Sequence, residues 1–533
     1  MNNESTMKSF MKGAVLLTVA GLIVKLLSAV YRVPYQNMVG DQGFYIYQQV
    51  YPFIAIFGIW TSYGFAVAVS KIMADHKPQD HGAILKIAFG FIAVISAIAF
   101  TLLFFGADWL SLWMGDANLS SLLRVGAFTV LLMPLLAVLK GYFQSSNQME
   151  PVAYAQVSEQ AIRVTVILIG TWVVVSSGMS LYVAGEMAMY GALAGELAGV
   201  ALLVFYFRKH LFALTLPSSI NPWPIMKELM AVSVSVSMSS LILLLFQMVD
   251  SFTIFRILAE SGIGRMEAME QKGIYDRGQP LVQFGLLMAT SLALAIVPLV
   301  ARMANKTGGR SAKPYAKLAF RISFLFAFAS AAGLTVVMPY VNETLFQNRD
   351  ESLALIIFSW QIIPMSLLLV ITAMLHGLGK VRVPALILVS GLLLKILANV
   401  WLIPLWGVTG AAAAGNLGLA AIVFGLLLYF KKVWPIRLAP IRYYGWLFGS
   451  AAAMAVVVLG WSLLADGSLF DGLSSRLAAL MITVTAVPLG ASVFLASIAR
   501  SRIITEKEWY IIPFGRRMAG LQLWINSKRK GDH

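Results

Sequence analysis

Fourteen times between residues 11 and 499 the chain runs for about twenty residues or more with almost no charge. A helix needs roughly 20 apolar residues to cross a bilayer, and lipid leaves backbone polar groups no partner outside a helix or a closed barrel. The runs are continuously apolar rather than alternating, which selects helices over barrel strands. They lie near 11–30, 46–72, 84–106, 119–144, 151–177, 183–207, 227–250, 279–302, 315–340, 352–375, 383–404, 407–430, 441–465 and 477–499. Composition agrees: 59% of residues are hydrophobic and 12% charged, where a soluble domain carries about 25% charged. The sequence predicts an all-α integral membrane protein with fourteen transmembrane helices, in the plasma membrane.

The formal net charge of +16 does not point to nucleic acid, because of where the charges sit. Lys71, Lys77, Lys86, Lys140, Arg208, Lys209, Arg302, Lys306, Arg310, Lys431 and Lys432 fall in alternate loops, with a further basic group after Ala499. The excess of cations on one set of loops places that set, and both termini, in the cytoplasm. Lys8 and Lys12 precede the first apolar run as in a signal peptide, but that run is too long and is interrupted by Lys25, so a retained first helix is expected. The chain has no cysteine, which excludes disulfides and thiolate chemistry. It has neither a G-x-x-x-x-G-K-[ST] phosphate loop nor an H-E-x-x-H or Cys/His metal spacing. No enzyme, cofactor or metal site is expected.

The chain repeats itself. GFYIYQQVYPFIAIFGIWTSYGFAVAVSKIMA at 43–74 is echoed by GIYDRGQPLVQFGLLMATSLALAIVPLVARMA at 273–304, and YGALAGELAGVALLVFYFRK at 190–209 by TGAAAAGNLGLAAIVFGLLLYFKK at 409–432. Six spans separate the copies, so they have the same orientation and form a parallel repeat. The expected organisation is a first lobe at 1–215, a second at 216–435, two further helices at 436–499 and a cytoplasmic, interfacial tail at 500–533. The proline-bearing stretch Leu211–Pro224 is the expected linker, and Gly191, Gly195 and Gly199 a close helix–helix seam.

Charges inside the apolar runs are the strongest functional signal in such a chain. Lys25 lies well inside the first run, where a charge costs at least about 2.5 kcal/mol on insertion scales. Arg32 follows two helical turns later on nearly the same face. Asp41 precedes the second run, and Asp276 and Arg277 the eighth. These five are the expected substrate-binding residues. Lysine suits an anion as a point charge and arginine as a bidentate partner, so a phosphate or pyrophosphate head group is the expected ligand. Asp250, Glu159, Arg163, Glu196 and Lys395 are candidates for ion coupling or gating. Glu159 and Arg163 are spaced to neutralise each other along one helix, and Asp250 can pair with Arg256.

VKLLSAVYRVPYQNMVGDQG at 24–43, KGYFQSSNQMEPVAYAQVSEQAIR at 140–163, IYDRGQP at 274–280 and HGLGKVRVP at 376–384 resemble the multidrug/oligosaccharidyl-lipid/polysaccharide exporter superfamily. Within it they are similar to the polysaccharide-biosynthesis branch, which holds the stage V sporulation protein B-like proteins and the MurJ-type lipid II flippases. The resemblance implies a V-shaped pair of six-helix lobes around a cationic cavity, with an apolar groove for a polyprenyl tail at spans 13 and 14. It implies a monomeric transporter that moves a lipid-linked saccharide of cell-wall or peptidoglycan biosynthesis outward, driven by a proton or sodium gradient or by the membrane potential. Lys25 falls where the MurJ-type pattern has an arginine, Asp41 near its acidic residue, and Tyr275-Asp276-Arg277 on its aromatic-x-Asp-Arg element. That pattern also has adjacent arginines in span 2, where this chain has Ile56–Trp60 and no cation. A cation-coupled multidrug exporter on the same scaffold is the alternative; its site would favour carboxylates and aromatics, and Lys25 speaks against it. A membrane transferase would need an Asp-x-Asp element, which the chain lacks.

Overall fold

Two glycines with positive φ bend the two longest helical stretches of the chain. Gly40 (φ 68°, ψ −173°) breaks α2 (Arg32–Ile59), and Trp406 with Gly407 (φ 55°, ψ −138°) breaks α16 (Arg382–Val433). Left-handed backbone costs an L residue with a side chain and costs glycine little, so the sequence sets both corners. The computed structural model describes residues 2–208, 220–287, 313–380, 382–470, 472–510 and 515–527. Among the described residues every regular element is helical, and eleven helices are long and apolar enough to cross a membrane. Two of these, Val15–Asp75 and Val383–Val433, are 61 and 51 residues long. Each contains two of the expected runs, with its glycine corner between them. Most of the expected span 279–302, and residues 211–219 of the expected linker, lie outside the described residues.

Contacts divide the chain into two compact units, Met1–Asp276 and Arg277–His533. The first contains α1 (Asn2–Val30), α2, a π-turn (Trp60–Phe65), α3 (Ala66–Asp75), α4 (His81–Phe105), α5 (Ala107–Trp113), α6 (Ser120–Val130), α7 (Met133–Ser145), α8 (Met149–Ser176), α9 (Leu181–Phe207), α10 (Pro222–Glu260) and α11 (Arg265–Asp276). It extends past residue 215, the expected end of the first repeat, because α10 packs on α2, α3, α4 and the π-turn, and α11 on α2. The second contains α12 (278–287), then α13 (Lys313–Phe346), α14 (Ser352–Ser359), α15 (Ile362–Gly377), α16, α17 (Ile441–Leu464), α18 (Ser475–Ser501), α19 (Glu506–Trp509) and α20 (Gly515–Ser527).

Val94, Ile98, Leu102 and Phe105 of α4 are all more than half exposed. They fall three or four residues apart and form one apolar stripe, a face suited to lipid. The glycine seam packs α9 on α8. A Cβ at Gly191 would stand 2.6 Å from Ile167 Cγ1, and one at Gly195 2.5 Å from the Glu159 carbonyl. In the second unit the described part of the tail, 500–510 and 515–527, is folded. Glu508 pairs with the guanidinium of Arg321, Trp509 is buried, and Gln522 donates to the Ile504 carbonyl at 3.1 Å. Arg321 falls inside an expected span; its partner is this tail helix.

Candidate functional site

The corner at Gly40 and the end of α11 assemble the first polar group. α11 is held at both ends. Arg265 Nη2 donates at 3.0 Å to the buried Asp116, which also accepts from the Tyr182 hydroxyl at 2.7 Å. Near the other end Gly273 lies so close to the corner that a Cβ would stand 2.1 Å from the Asp41 carbonyl. The Asp41 side chain accepts from Gln36 Nε2 at 2.9 Å. At the end of α11 the acid turns inward: Lys272 Nζ donates to both oxygens of Asp276, at 2.6 and 2.7 Å, and both side chains are buried. The Tyr275 hydroxyl donates at 3.0 Å to the buried Asp250.

Arg32 completes this group. It is 1% exposed, and its guanidinium lies 4.8 Å from the Tyr51 ring centre. Tyr31 and Tyr47, joined hydroxyl to hydroxyl at 2.5 Å, stand beside it, and Asp276 lies within range of its charge. A desolvated cation over an aromatic face gains about 2 kcal/mol or more, which offsets part of the cost of burying Arg32. Among the described residues Arg32 Nε and Nη1 have no hydrogen-bond partner. The structure thus brings Arg32, Asp41, Asp250 and Asp276 together in the first unit. Lys272 belongs with them. On the sequence it reads as a loop cation, and its four-residue spacing from Asp276 was the available signal.

Burial pushes the Asp276 carboxyl up from 3.8 to about 6, against the opposing pull of Lys272. An acid raised in this way holds more protons folded than unfolded between the two values. Its contribution to stability is full below 3.8 and is lost as pH rises through about 6. Relative to Asp276→Asn, wild-type protein should therefore lose Tm across that window. A Tm difference that does not change with pH would contradict the assignment.

A second group lies where α7, α8, α9 and the π-turn meet. Lys140 Nζ lies 3.2 Å from Glu159 Oε2 and donates to Ser62 Oγ at 3.0 Å. Arg163 Nη2 lies 3.5 Å from Glu196 Oε1. Glu159 and Arg163, expected to neutralise each other along α8, do lie within range of each other's charge, and each makes its ion pair with a neighbouring helix, Glu159 with Lys140 of α7 and Arg163 with Glu196 of α9. Lys140 is 1% exposed and is a member that sequence reasoning assigned to a cytoplasmic loop. Tyr47 and Tyr51 neighbour both Arg163 and Arg32, so the two groups adjoin within the unit. Asp250 does not pair with Arg256, which binds Glu260 at 2.8 Å one turn on.

Lys25 stands apart. It is exposed and, among the described residues, makes no ion pair. By helical spacing it shares one side of α1 with Thr18, Gly21 and Ser28. The exposed Val15, Val19, Leu22, Ile23, Leu26 and Val30 occupy the adjoining side. Lys25 therefore lies on the border between a polar strip and an apolar face. In the second unit Arg277 is fully buried. Its Nη1 donates to Asn342 Oδ1 at 2.8 Å and Asn348 Oδ1 at 2.7 Å, which ties the start of α12 to the end of α13. Lys395 and Asn399, one turn apart on α16, are also buried. Of the five residues expected to bind substrate, Lys25 is the one with an exposed side chain.

Eleven helices long and apolar enough to cross a membrane, with buried charges among them, define a multi-pass membrane protein whose charged residues mark its working site. Residues 10–304 match the polysaccharide biosynthesis protein family. The chain is 37% identical to the uncharacterized membrane protein YabM of Bacillus subtilis strain 168, over 95% of this chain and 96% of that one. It is 25% identical to the lipid II flippase MurJ of the same organism, over 91% and 94%. Its fold matches a solved lipid II flippase MurJ in an inward closed conformation with a TM-score of 0.68, at 14% identity, over 92% of this chain and all of that one. It also matches an inward-facing multidrug resistance MATE family transporter of the MOP superfamily, TM-score 0.62, at 15% identity, over 79% and 98%. The chain belongs to the polysaccharide biosynthesis protein family, a branch of the multidrug/oligosaccharidyl-lipid/polysaccharide exporter superfamily. It is a membrane transporter of that superfamily.

Proposed function

We propose that the chain is a flippase that carries a polyprenyl-pyrophosphate-linked saccharide precursor of the cell envelope from the inner to the outer leaflet. Fourteen spans form two parallel six-helix repeats, 1–215 and 216–435, which alternate access, and spans 13 and 14 (436–499) receive the lipid tail. Both termini are cytoplasmic in this reading, which the bias of basic residues toward one set of loops supports. The observation that carries this reading is an apolar cavity of about 400 Å³ within the second unit. Leu281 and Phe284 of α12, Phe326 and Val337 of α13, Met454 of α17 and Phe494 of α18 line it, and among the described residues Ser330 is the one polar side chain in its walls. The volume falls in the range of small-molecule sites, roughly 300–1,000 Å³. Walls of hydrocarbon gain about 25 cal/mol for each Å² of prenyl chain they cover. α17 and α18 are the helices outside the repeat, so the cavity is built partly from what the repeat does not need.

Lys25 meets the pyrophosphate as a point charge. Asp276 and Arg277, expected to bind it directly, instead fix the ends of α11 and α12 and act on the site through those helices. The cation-free Ile56–Trp60 stretch leaves the glycan open: lipid II or another lipid-linked saccharide. No bond is made or broken. A gradient of protons or sodium, or the membrane potential, biases the two states, since one charge crossing 100 mV is worth about 2.3 kcal/mol.

Gly333 offers the test. A Cβ there would meet only Met454 Cε, at 3.9 Å, so Gly333→Leu has room to grow into the cavity without a backbone clash. The variant should remain folded in the membrane and lose flipping of lipid-linked saccharide in vesicles by about tenfold or more, equivalent to about 1.4 kcal/mol of lost tail binding. Unchanged flipping would remove the cavity from the transport path.

A further inference from the structure

The charges of the second polar group sum to zero: Lys140 and Arg163 against Glu159 and Glu196. They are not held equally. Glu159 is gripped by a lysine that is itself anchored on the π-turn through Ser62. Glu196, 6% exposed, has Arg163 as its nearest cation at 3.5 Å, beyond the usual 2.7–2.9 Å of a charge-assisted hydrogen bond. Arg163 Nε is buried and, among the described residues, has no hydrogen-bond partner. The group is not sealed within the packed helices: the Glu159 and Arg163 side chains are 17% and 23% exposed. The glycine seam makes the arrangement possible. A Cβ at Gly195 would strike Arg163 Cβ at 2.9 Å, and one at Gly199 would stand 3.2 Å from Glu159 Oε2. The glycines therefore admit charged side chains between two helices that a larger residue would force apart.

We propose that Glu196 is a proton-binding site, and that Arg163 is the part set free when the proton arrives. A proton from water adds to a Glu196 carboxylate oxygen and converts it to the neutral acid. The group then carries one net positive charge. Arg163 loses its partner on α9 and faces Glu159 alone, which Lys140 already holds. The α8–α9 seam loses the Arg163–Glu196 ion pair and loosens, and the added charge makes the first unit sensitive to the membrane potential as well as to pH. The titratable and charged groups facing Glu196 are Lys140 from α7 and Glu159 and Arg163 from α8. Tyr47 and Tyr51 of α2 and Tyr63 of the π-turn stand around the same group. A π-turn at this point fits, since such turns concentrate at functional positions. What the proton drives rests on the flippase reading; whether Glu196 takes it up does not.

The test reads proton uptake on the full chain in lipid nanodiscs, with no saccharide lipid added. Infrared difference spectra between mildly alkaline and mildly acidic buffer are compared in an Asp276→Asn background, because Asp276 adds a carboxyl band of its own. A protonated-carboxyl band should appear, vanish in Glu196→Gln and persist in Glu159→Gln. Protection factors for amide hydrogen exchange along residues 159–171, each rate taken relative to the unstructured rate at the same pH, should fall on acidification, and should already be low in alkaline buffer in Glu196→Gln. If Glu196→Gln does not fold, Glu196→Asp replaces it and should shift the band. A band that survives Glu196→Gln, a band unmoved by Glu196→Asp, no band in the parent protein, or pH-independent protection factors along the seam would each overturn the proposal.

Discussion

Lys140→Met should destabilise the protein by about 3 kcal/mol or more, the cost of leaving a buried charge without its partner. The Lys140 side chain is 1% exposed and that of Glu159 17%, so solvent does little to replace the lost cation. Methionine fills much of the same space, which leaves charge rather than packing as the cause. The double variant Lys140→Met/Glu159→Gln should recover most of the loss, because it removes both charges. Thermal unfolding of the four proteins in one detergent measures the coupling directly. Equal losses in the single and double variants would show that Lys140 acts through packing or Ser62 and not through Glu159.

Lys25→Ala should act in the opposite way, with a large loss of function and little change in stability. An exposed helical side chain without an ion pair usually changes stability by within about 0.5 kcal/mol when replaced. A charged hydrogen bond to pyrophosphate is worth about 1.5–3 kcal/mol, which corresponds to roughly a 10- to 150-fold loss of substrate affinity. Lys25→Arg should keep a substantial part of the activity, because charge is retained while the point geometry is not. Vesicle flipping assays on matched amounts of folded protein separate these outcomes. Full activity in Lys25→Ala would remove the lysine from the substrate's path.

Much of the fold was legible because span length and loop charge are local properties. A run of twenty apolar residues declares itself without reference to any other part of the chain, and so does the Gly191–Gly195–Gly199 series; Gly40 and Gly407 do not, because the left-handed backbone that makes them corners appears only in the folded chain. The site was legible only in outline. Arg163, Glu159 and Glu196 stood out as intramembrane charge, but spacing along a helix suggested an α8 pair, whereas the folded chain pairs across α7, α8 and α9. Lys140 escaped notice because it ends an apolar run and looks like a loop cation; only tertiary packing buries it. Arg277 had the residue type for an anion and the position for it. Asn342 and Asn348, roughly seventy positions later in the sequence, occupy its Nη1, a pairing that no local pattern reports. The tyrosines around Arg32 were visible only as part of a motif, since an aromatic in a span reads first as packing.

The most direct measurement is native mass spectrometry of the protein purified gently from its own membrane. A bound lipid bearing pyrophosphate and saccharide, present on the wild type and depleted on both Lys25→Ala and Gly333→Leu, is the expected result. Wild-type protein that carries only ordinary phospholipid, and gains nothing when polyprenyl-pyrophosphate saccharide is supplied, would contradict it.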